Sequence, residues 1–421
     1  MTQTPLLLAC PDCDLLHRAG PPPRGSMQAC ARCGAVLDHG RHAGLGRVLA
    51  LYLTALILFF LANAFPLMAL RLHGTVREAS IPGCARILAS LGWPWLSAIL
   101  LTTVILGPLL QLGGMVALLQ QLARRGGAAW TAHAFRFLEE FRAWGMVEVF
   151  LLGVIVSYSK LAKLAPVAPG PSMYALGGFI FMAALAVSSL DPRAVWEATG
   201  TPADLAQPPP GAGGQGAPSA PSARSAGLQG CSACGLVEPI DRHACTRCGS
   251  TLHSRKPDST ARTWALLITA AILYIPANTL PVTQVMNLGR PQEDTILSGV
   301  VYFLQTGSWP LALLIFVASV VVPLAKFVIL VFLLLSVRFR SRWRPRRRAG
   351  LYRLTEMVGR WSMVDIFAIT LMVAMLRMGS LASVAPRPGA MAFALMVVAT
   401  ILAVRSFDPR LVWDALEPDH G

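Results

Sequence analysis

Eight of the nine cysteines are arranged as four C-x-x-C pairs, two near the start of the chain and two near its middle. The pairs are Cys10 and Cys13, Cys30 and Cys33, Cys231 and Cys234, and Cys245 and Cys248. Each pair presents two thiolates to one ion, so two successive pairs form a closed four-sulfur site. The sequence therefore predicts two structural Zn²⁺ ions per chain, each in a zinc ribbon, with iron as an open alternative. The ninth cysteine, Cys84, is assigned no role.

The residues around the pairs favour metal over redox chemistry. Gly34 and Gly249 follow the second pair of each set, where a positive φ turns backbone amides towards sulfur. C-x-x-C is also the dithiol motif of thioredoxin-like proteins, but no βαβ pattern surrounds it here. His17, His39 and His243 lie nearby and are expected to face solvent. A membrane thiol oxidoreductase stays an alternative.

The cysteine pairs belong to a longer internal repeat. Ala62-Asn63-x-x-Pro66 returns as Ala277-Asn278-x-x-Pro281, Trp144-Gly-Met-Val-Glu148 as Trp361-Ser-Met-Val-Asp365, and Asp191-Pro-Arg as Asp408-Pro-Arg. The first and last of these are offset by 215 and 217 residues. A constant offset over most of the chain indicates one duplicated module.

Composition places this module in a membrane. The chain of 421 residues is 54% hydrophobic and 14% charged, and a bilayer core is crossed by about 20 apolar residues. Eight spans are predicted, near 48–70, 92–120, 145–165, 173–190, 263–281, 309–336, 361–384 and 389–405. We therefore expect an all-α polytopic membrane protein with two tandem repeats, each a cytoplasmic zinc ribbon followed by a four-helix transmembrane unit.

The predicted domains follow the repeat. They are ribbon 1 (1–44), transmembrane unit 1 (45–200), a disordered Pro- and Gly-rich linker (201–228), ribbon 2 (229–256) and transmembrane unit 2 (257–421). The two transmembrane units are called unit 1 and unit 2.

The net charge of +15 does not indicate a nucleic-acid partner, because of where the arginines lie. Nine of them fall between Arg338 and Arg360, between the sixth and seventh spans, and the loops on the opposite side hold few. The positive-inside rule then puts both termini, both ribbons and the linker in the cytoplasm.

Ionisable groups within the spans are costly and so are candidates for function. Lys326 lies in the apolar sixth span, and Asp365, one turn into the seventh, is its expected partner. A polar track across unit 2 is completed by Ser319, Thr370, Thr400 and Arg377. Coupling of this track to a proton gradient is one hypothesis. The alternative is an inert salt bridge or a snorkelling lysine.

The two repeats differ at these positions. Lys326 aligns with Gln111, Asp365 with Glu148 and Arg377 with Lys160. The hypothesis is that unit 2 carries the energised or gated step and that unit 1 is more structural. Asn63 and Asn278 precede prolines and satisfy backbone groups freed there, or else mark a substrate opening.

No P-loop, H-E-x-x-H or G-x-S-x-G motif occurs in the sequence, so an enzyme is not expected. The chain resembles the paraquat-inducible protein A family (PqiA/LetA-like proteins). The resemblance rests on the two four-cysteine ribbons, the A-N-x-x-P elements, WSMVDIF at 361–367, PLAK at 323–326 and SFDPRLVWD at 406–414.

The resemblance implies an inner-membrane protein that works beside MCE-domain proteins, which form periplasmic tunnels. It implies passage of phospholipid to or from such a tunnel. Two further alternatives remain, a proton-coupled transporter of a small solute and a stress sensor or assembly factor that transports nothing.

Overall fold

The apolar runs fold into helices that are long enough to cross a membrane. The computed structural model describes residues 6–19, 26–38, 40, 44–72, 75–142, 145–162, 166–199, 222–287, 290–375 and 382–416. Within them, eight helical segments have the length and composition of membrane spans, which confirms the predicted number. The predicted site residue Arg377 and most of the predicted linker, up to residue 221, lie outside these described residues.

Ribbon 1 and unit 1 come first along the chain. Ribbon 1 has strands β1 (Leu6–Ala9), β2 (Leu16–Ala19), β3 (Gln28–Ala29) and β4 (Val36–Asp38). Unit 1 has α1 (Leu45–Ala64), β5 (Met68–Leu72), β6 (Thr75–Ala79), α2 (Ile81–Ser90), α3 (Pro94–Leu100), α4 (Gly107–Arg125), α5 (Ala129–Arg142), α6 (Val147–Leu161), β7 (Val167–Pro169), α7 (Pro171–Ser189) and α8 (Pro192–Ala198).

Ribbon 2 and unit 2 repeat this order. Ribbon 2 has β8 (Leu228–Gly230) and β9 (Val237–Pro239). Unit 2 has α9 (Ser259–Thr279), β10 (Thr283–Asn287), β11 (Arg290–Asp294), α10 (Ile296–Gln305), α11 (Trp309–Phe316), α12 (Val322–Arg338), α13 (Pro345–Val358), α14 (Val364–Met375), β12 (Ala382–Pro386), α15 (Pro388–Ser406) and α16 (Leu411–Asp414).

The eight spans are named S1 to S8. S1 is α1, S2 is α3 to α4, S3 is α6 with α5 before it, S4 is α7, S5 is α9, S6 is α11 to α12, S7 is α14 with α13 before it, and S8 is α15. S2 and S6 each contain a π-helical turn at a matching place, Leu101–Leu106 and Val317–Val321. In each case a proline follows, Pro108 or Pro323, and its missing N–H explains why the helix is irregular there.

Each unit carries a small antiparallel sheet that the sequence reading did not predict. The strand orders are β6-β5-β7 in unit 1 and β11-β10-β12 in unit 2. S1 ends at Ala64 because Phe65 is extended ahead of Pro66. The predicted first span, 48–70, therefore runs past the helix into β5. We call the end of the bundle near these sheets the sheet side and the opposite end the ribbon side.

The two units meet along S3 and S7. A Cβ on Gly153 of S3 would lie 2.7 Å from the Cβ of Phe367 in S7, so only glycine allows this approach. The Ser157 hydroxyl donates to the Ala368 carbonyl at 2.9 Å, and the rings of Phe150 and Phe367 pack edge to face. One apolar core therefore extends through both units.

Candidate functional site: two metal centres and an intramembrane lysine

The four cysteines of ribbon 1 point to one centre. Their sulfurs lie within 4.8 Å of one another, with 3.5 Å between Cys10 and Cys33 and 3.4 Å between Cys13 and Cys30. Tetrahedral zinc with Zn–S bonds of about 2.3 Å separates its sulfurs by about 3.8 Å. The donor set therefore fits a single zinc ion.

Ribbon 2 has the same arrangement. The sulfurs of Cys231 and Cys248 lie 3.6 Å apart, and those of Cys234 and Cys245 lie 3.5 Å apart. The Ser250 hydroxyl is 3.0 Å from the Cys231 sulfur. The eight thiols are free rather than paired in disulfides.

The backbone explains why the cysteines converge. Each pair is closed by an amide that donates back to the carbonyl of the first cysteine, as Gly34 does to Cys30 at 2.8 Å and Gly249 to Cys245 at 2.9 Å. The donating residue has a positive φ in all four knuckles, including the non-glycine Asp14 at 62°. The glycines at Gly34 and Gly249 were anticipated for this conformation.

The expectation that His17 faces solvent is wrong. Its side chain is buried in ribbon 1, and Nε2 lies 3.2 Å from the Cys30 sulfur. A ring N–H there stabilises negative charge on a metal-bound thiolate. His243 is exposed, as expected, and His39 lies outside the described residues.

Each ribbon packs on the transmembrane unit of the other repeat. Arg353 of α13 in unit 2 donates to the Cys33 carbonyl of ribbon 1 at 3.0 Å. Arg136 of α5 in unit 1 donates to the Cys248 carbonyl of ribbon 2, also at 3.0 Å. Because these arginines are 217 positions apart, they are the same residue of the repeat. The contact is made twice, each time across the two repeats.

A second set of contacts joins the ribbons at the C-terminal end of the described chain. The Arg255 guanidinium lies 2.9 Å from the Asp14 carboxylate in ribbon 1 and 2.6 Å from the Asp414 carboxylate in α16. Burial lowers the pKa of Arg255, but the two carboxylates outweigh it and hold the pKa above its usual value. This arginine therefore stays charged and ties ribbon 1, ribbon 2 and unit 2 together.

Lys326 is the most buried amine of the spans that the structure describes, with 2% of its surface exposed. Its Nζ donates to the Gly359 carbonyl at 2.9 Å and to the Ser362 hydroxyl at 3.1 Å. Both acceptors lie on the 3₁₀ turn Gly359–Met363, between α13 and α14. The sequence reading missed them, although Ser362 lies inside the repeated Trp361-Ser-Met-Val-Asp365 motif.

The other predicted residues of the polar track lie around this turn. Asp365 is the second residue of α14, directly after the turn; its side chain lies outside the described part of the structure, so the ion pair with Lys326 stays a prediction. Ser319 is fully buried in the π-helical turn of S6. Thr370 and Thr400 donate to carbonyls of their own helices, those of Ile366 and Val397.

The weaker candidates lie elsewhere. Lys160 at the end of S3 places its ammonium 5.2 Å from the centre of the Phe303 ring in α10, which is a contact between units. Glu148 lies in the first turn of α6 and is exposed. Asn63 and Asn278 each donate to the carbonyl four residues earlier, at 2.8 Å and 2.9 Å. These bonds favour the structural reading of the two asparagines.

Known proteins match this chain over nearly its whole length. The family described as paraquat-inducible protein A matches residues 45–200 and 260–417. Intermembrane transport protein PqiA of Escherichia coli strain K12 is 33% identical over 408 residues, which cover 97% of this chain and 95% of that protein.

Two further relatives are similar along their length. Lipophilic envelope-spanning tunnel protein A of Escherichia coli strain K12 is 30% identical over 98% of this chain and 92% of its own. A probable intermembrane transport protein of Haemophilus influenzae is 28% identical, over 97% and 95%. No solved structure matches the chain. Because the family match extends over both transmembrane units, the protein belongs to the paraquat-inducible protein A family.

Proposed function

We propose that this protein is the inner-membrane component of an intermembrane phospholipid transport system. It passes lipid to or from a periplasmic tunnel built by MCE-domain proteins. The names of its relatives support intermembrane transport. The eight apolar helices support a multi-pass membrane location, and the positive-inside rule supports ribbons that face the cytoplasm.

The observation that carries an active role is the environment of Lys326. A charged amine inside a membrane bundle costs several kcal/mol, so structural reasons alone rarely place it there. Both of its acceptors in the described residues are neutral, the Gly359 carbonyl and the Ser362 hydroxyl. A proton can therefore leave this amine without breaking an ion pair to either acceptor.

The absence of a P-loop from the sequence argues for a gradient as the energy source. In the proposed cycle, loss and gain of the Lys326 proton change how S6 holds the turn before S7. Asp365, on the first turn of S7, is the proposed second member of the proton pathway. The two zinc ions are proposed to be structural, because four thiolates leave no open coordination position.

A proton-coupled transporter of a small solute is the second candidate, and the same lysine supports it. The two are separated by purifying the chain in mild detergent and identifying bound lipid and co-eluting proteins by mass spectrometry. The proposal predicts stoichiometric phospholipid and an MCE-domain protein. The phospholipid proposal is contradicted if the chain purifies without lipid and without an MCE-domain protein, and if vesicles that contain it become acidified when a water-soluble substrate is added.

A further inference from the structure

Unit 1 contains a cavity at the place where unit 2 is filled. Its volume is about 650 Å³, within the range of small-molecule sites. Gln111 and Gly145 line it, and these are the repeat positions of Lys326 and Ser362. In unit 2 the lysine closes this space by bonding to the serine, whereas in unit 1 Gly145 has no side chain.

S4 and S8 show the same difference. Ile180 and Ala183 of S4 line the cavity and are partly exposed. Their repeat positions in S8 are Val397 and Thr400, which are fully buried. The two copies therefore share one fold, but among the described residues these positions line an open cavity in unit 1 and are buried in unit 2.

The cavity wall is divided into an apolar and a charged part. S4 supplies Phe179, Ile180, Ala183, Ala184 and Val187 on one side. The rim on the ribbon side carries Asp38 of ribbon 1, Glu139, Arg142, Glu148, Asp191 and Arg193. An apolar wall that leads to a charged rim at one end of a membrane bundle fits an amphiphile that enters with its chain along S4.

The charges on the rim select the headgroup. Arg193 pairs with Asp38 at 2.7 Å, and Arg142 with Glu139 at 3.4 Å. Four carboxylates against two guanidiniums leave a net charge of −2 at the rim. Among the described residues, no hydrogen bond or ion pair partners the Glu148 carboxylate. In the same lining, the half-exposed Arg142 offers a donor to phosphate and the Glu148 carboxylate offers an acceptor to an amine.

We propose that this cavity binds one phospholipid with a zwitterionic, amine-bearing headgroup of the phosphoethanolamine class. Glu148 receives the ammonium, Arg142 receives the phosphate, and S4 lies along the acyl chain. The proposal rests on the phospholipid function proposed above and adds its loading site. It also revises the view that unit 1 is mainly structural, since the open copy holds the lipid and the closed copy holds the lysine.

The test uses the full-length chain in detergent and native mass spectrometry. The probes are dioctanoyl phosphatidylethanolamine, dioctanoyl phosphatidylglycerol and free phosphoethanolamine. Ala183→Trp fills the cavity, and Glu148→Gln removes the free carboxylate without changing its size. Leu185→Trp, on the same helix but away from the cavity, and Glu140→Gln, on α5 but away from it, are the matched controls.

We expect Ala183→Trp to weaken binding of the ethanolamine lipid at least tenfold and Glu148→Gln to abolish the preference over phosphatidylglycerol. Both controls should bind as the parent chain does, and phosphoethanolamine alone should not compete. If Ala183→Trp does not fold, Glu148→Gln decides the question.

Equal binding by parent chain, Ala183→Trp and Glu148→Gln contradicts the cavity site but leaves the transport proposal intact. A parent chain that binds neither lipid contradicts both proposals. Competition by phosphoethanolamine alone assigns the cavity to a small amine and overturns the lipid assignment.

Discussion

At the scale of residues, the central feature is an amine with neutral acceptors. The stem of Lys326 reaches from S6 to the turn before S7, where one carbonyl and one hydroxyl accept its hydrogen bonds. Burial makes an unsatisfied ammonium expensive, so each acceptor matters more than it would at a surface. Lys326 itself was predicted from its position in an apolar span. The acceptors of Lys326 were not predicted. Gly359 accepts through its backbone carbonyl, which no residue type in the sequence reveals.

Ser362→Ala tests this environment. Removing the hydroxyl leaves one proton of a buried ammonium without its acceptor, and we expect a loss of about 1.5–3 kcal/mol in stability. Thermal unfolding in a fixed detergent measures it. Ser336→Ala is the control, because that buried hydroxyl bonds only within its own helix. Equal effects of the two changes would mean that the Ser362 contact with Lys326 contributes nothing particular.

At the scale of elements, helix existence was predictable and helix ends were not. Runs of about 20 apolar residues identify spans, but Met68–Leu72 continues the apolar run of S1 and folds as a strand. The signal was Pro66, which lacks an N–H and makes the residue before it extended. Similarly, the predicted seventh span, 361–384, begins inside the 3₁₀ turn Gly359–Met363 and ends inside β12.

Gly153→Leu tests the seam between S3 and S7. The added side chain collides with Phe367 and the Ala368 backbone, and overpacking of this kind costs about 1–3 kcal/mol. We expect a lower midpoint of thermal unfolding and easier separation of the units by limited proteolysis. Gly177→Leu in S4 is the matched control, since nothing lies within 4 Å of its added Cβ. A Gly153→Leu chain as stable as the control would refute the close packing.

Asp408→Asn tests how α16 is held. Burial alone would raise the pKa of the Asp408 carboxyl, but the Arg410 guanidinium and the amides of Lys256 and Arg410 outweigh it and hold the pKa below its usual value. The carboxylate therefore stabilises the fold above its unfolded pKa of about 3.9, and this contribution is lost as the pH falls below that value.

We expect Asp408→Asn to cost roughly 3 kcal/mol at neutral pH, because the largely buried Arg410 guanidinium loses the carboxylate that compensates its charge. The cost should stay constant from about pH 7 to pH 5 and shrink as the pH falls from about 5 to about 2, as measured by the unfolding midpoint. Asp258→Asn is the control, since the exposed Asp258 side chain makes no cap bond. A cost that does not change with pH would contradict the assigned charge.

At the scale of the whole molecule, the two repeats are interlocked. Ribbon 1 packs on unit 2 and ribbon 2 on unit 1, through Arg353 and Arg136. The duplication and the metal ligands were readable from cysteine spacing and a constant offset. The packing of each ribbon on the unit of the other repeat could not be predicted from the sequence. Contacts such as that of Arg353 with Cys33 join residues 320 positions apart and leave no local pattern.

The crossed packing of the ribbons predicts which transmembrane unit responds to the loss of each metal. Cys33→Ser should raise hydrogen exchange in α13 of unit 2, and Cys248→Ser should raise it in α5 of unit 1, because each disturbs the carbonyl that the opposite arginine binds. Elemental analysis should give two zinc ions in the parent chain and in Cys84→Ser, and one in each ligand variant. Increased exchange confined to the unit of the same repeat, or thiols that cycle through disulfides with metal bound, would contradict this arrangement.

The proposed function has two parts: the protein moves phospholipid, and the Lys326 proton drives the movement. The most direct measurement is transfer of fluorescent phospholipid from vesicles that hold the full chain and its MCE-domain partner, with and without a proton gradient. We predict that transfer depends on the gradient and that an uncoupler stops it. Lys326→Met and Lys326→Arg should both abolish transfer. Val328→Met, on the exposed face of S6, should leave transfer unchanged. Transfer that is insensitive to the uncoupler, or that Lys326→Met supports fully at normal protein levels, would contradict the account.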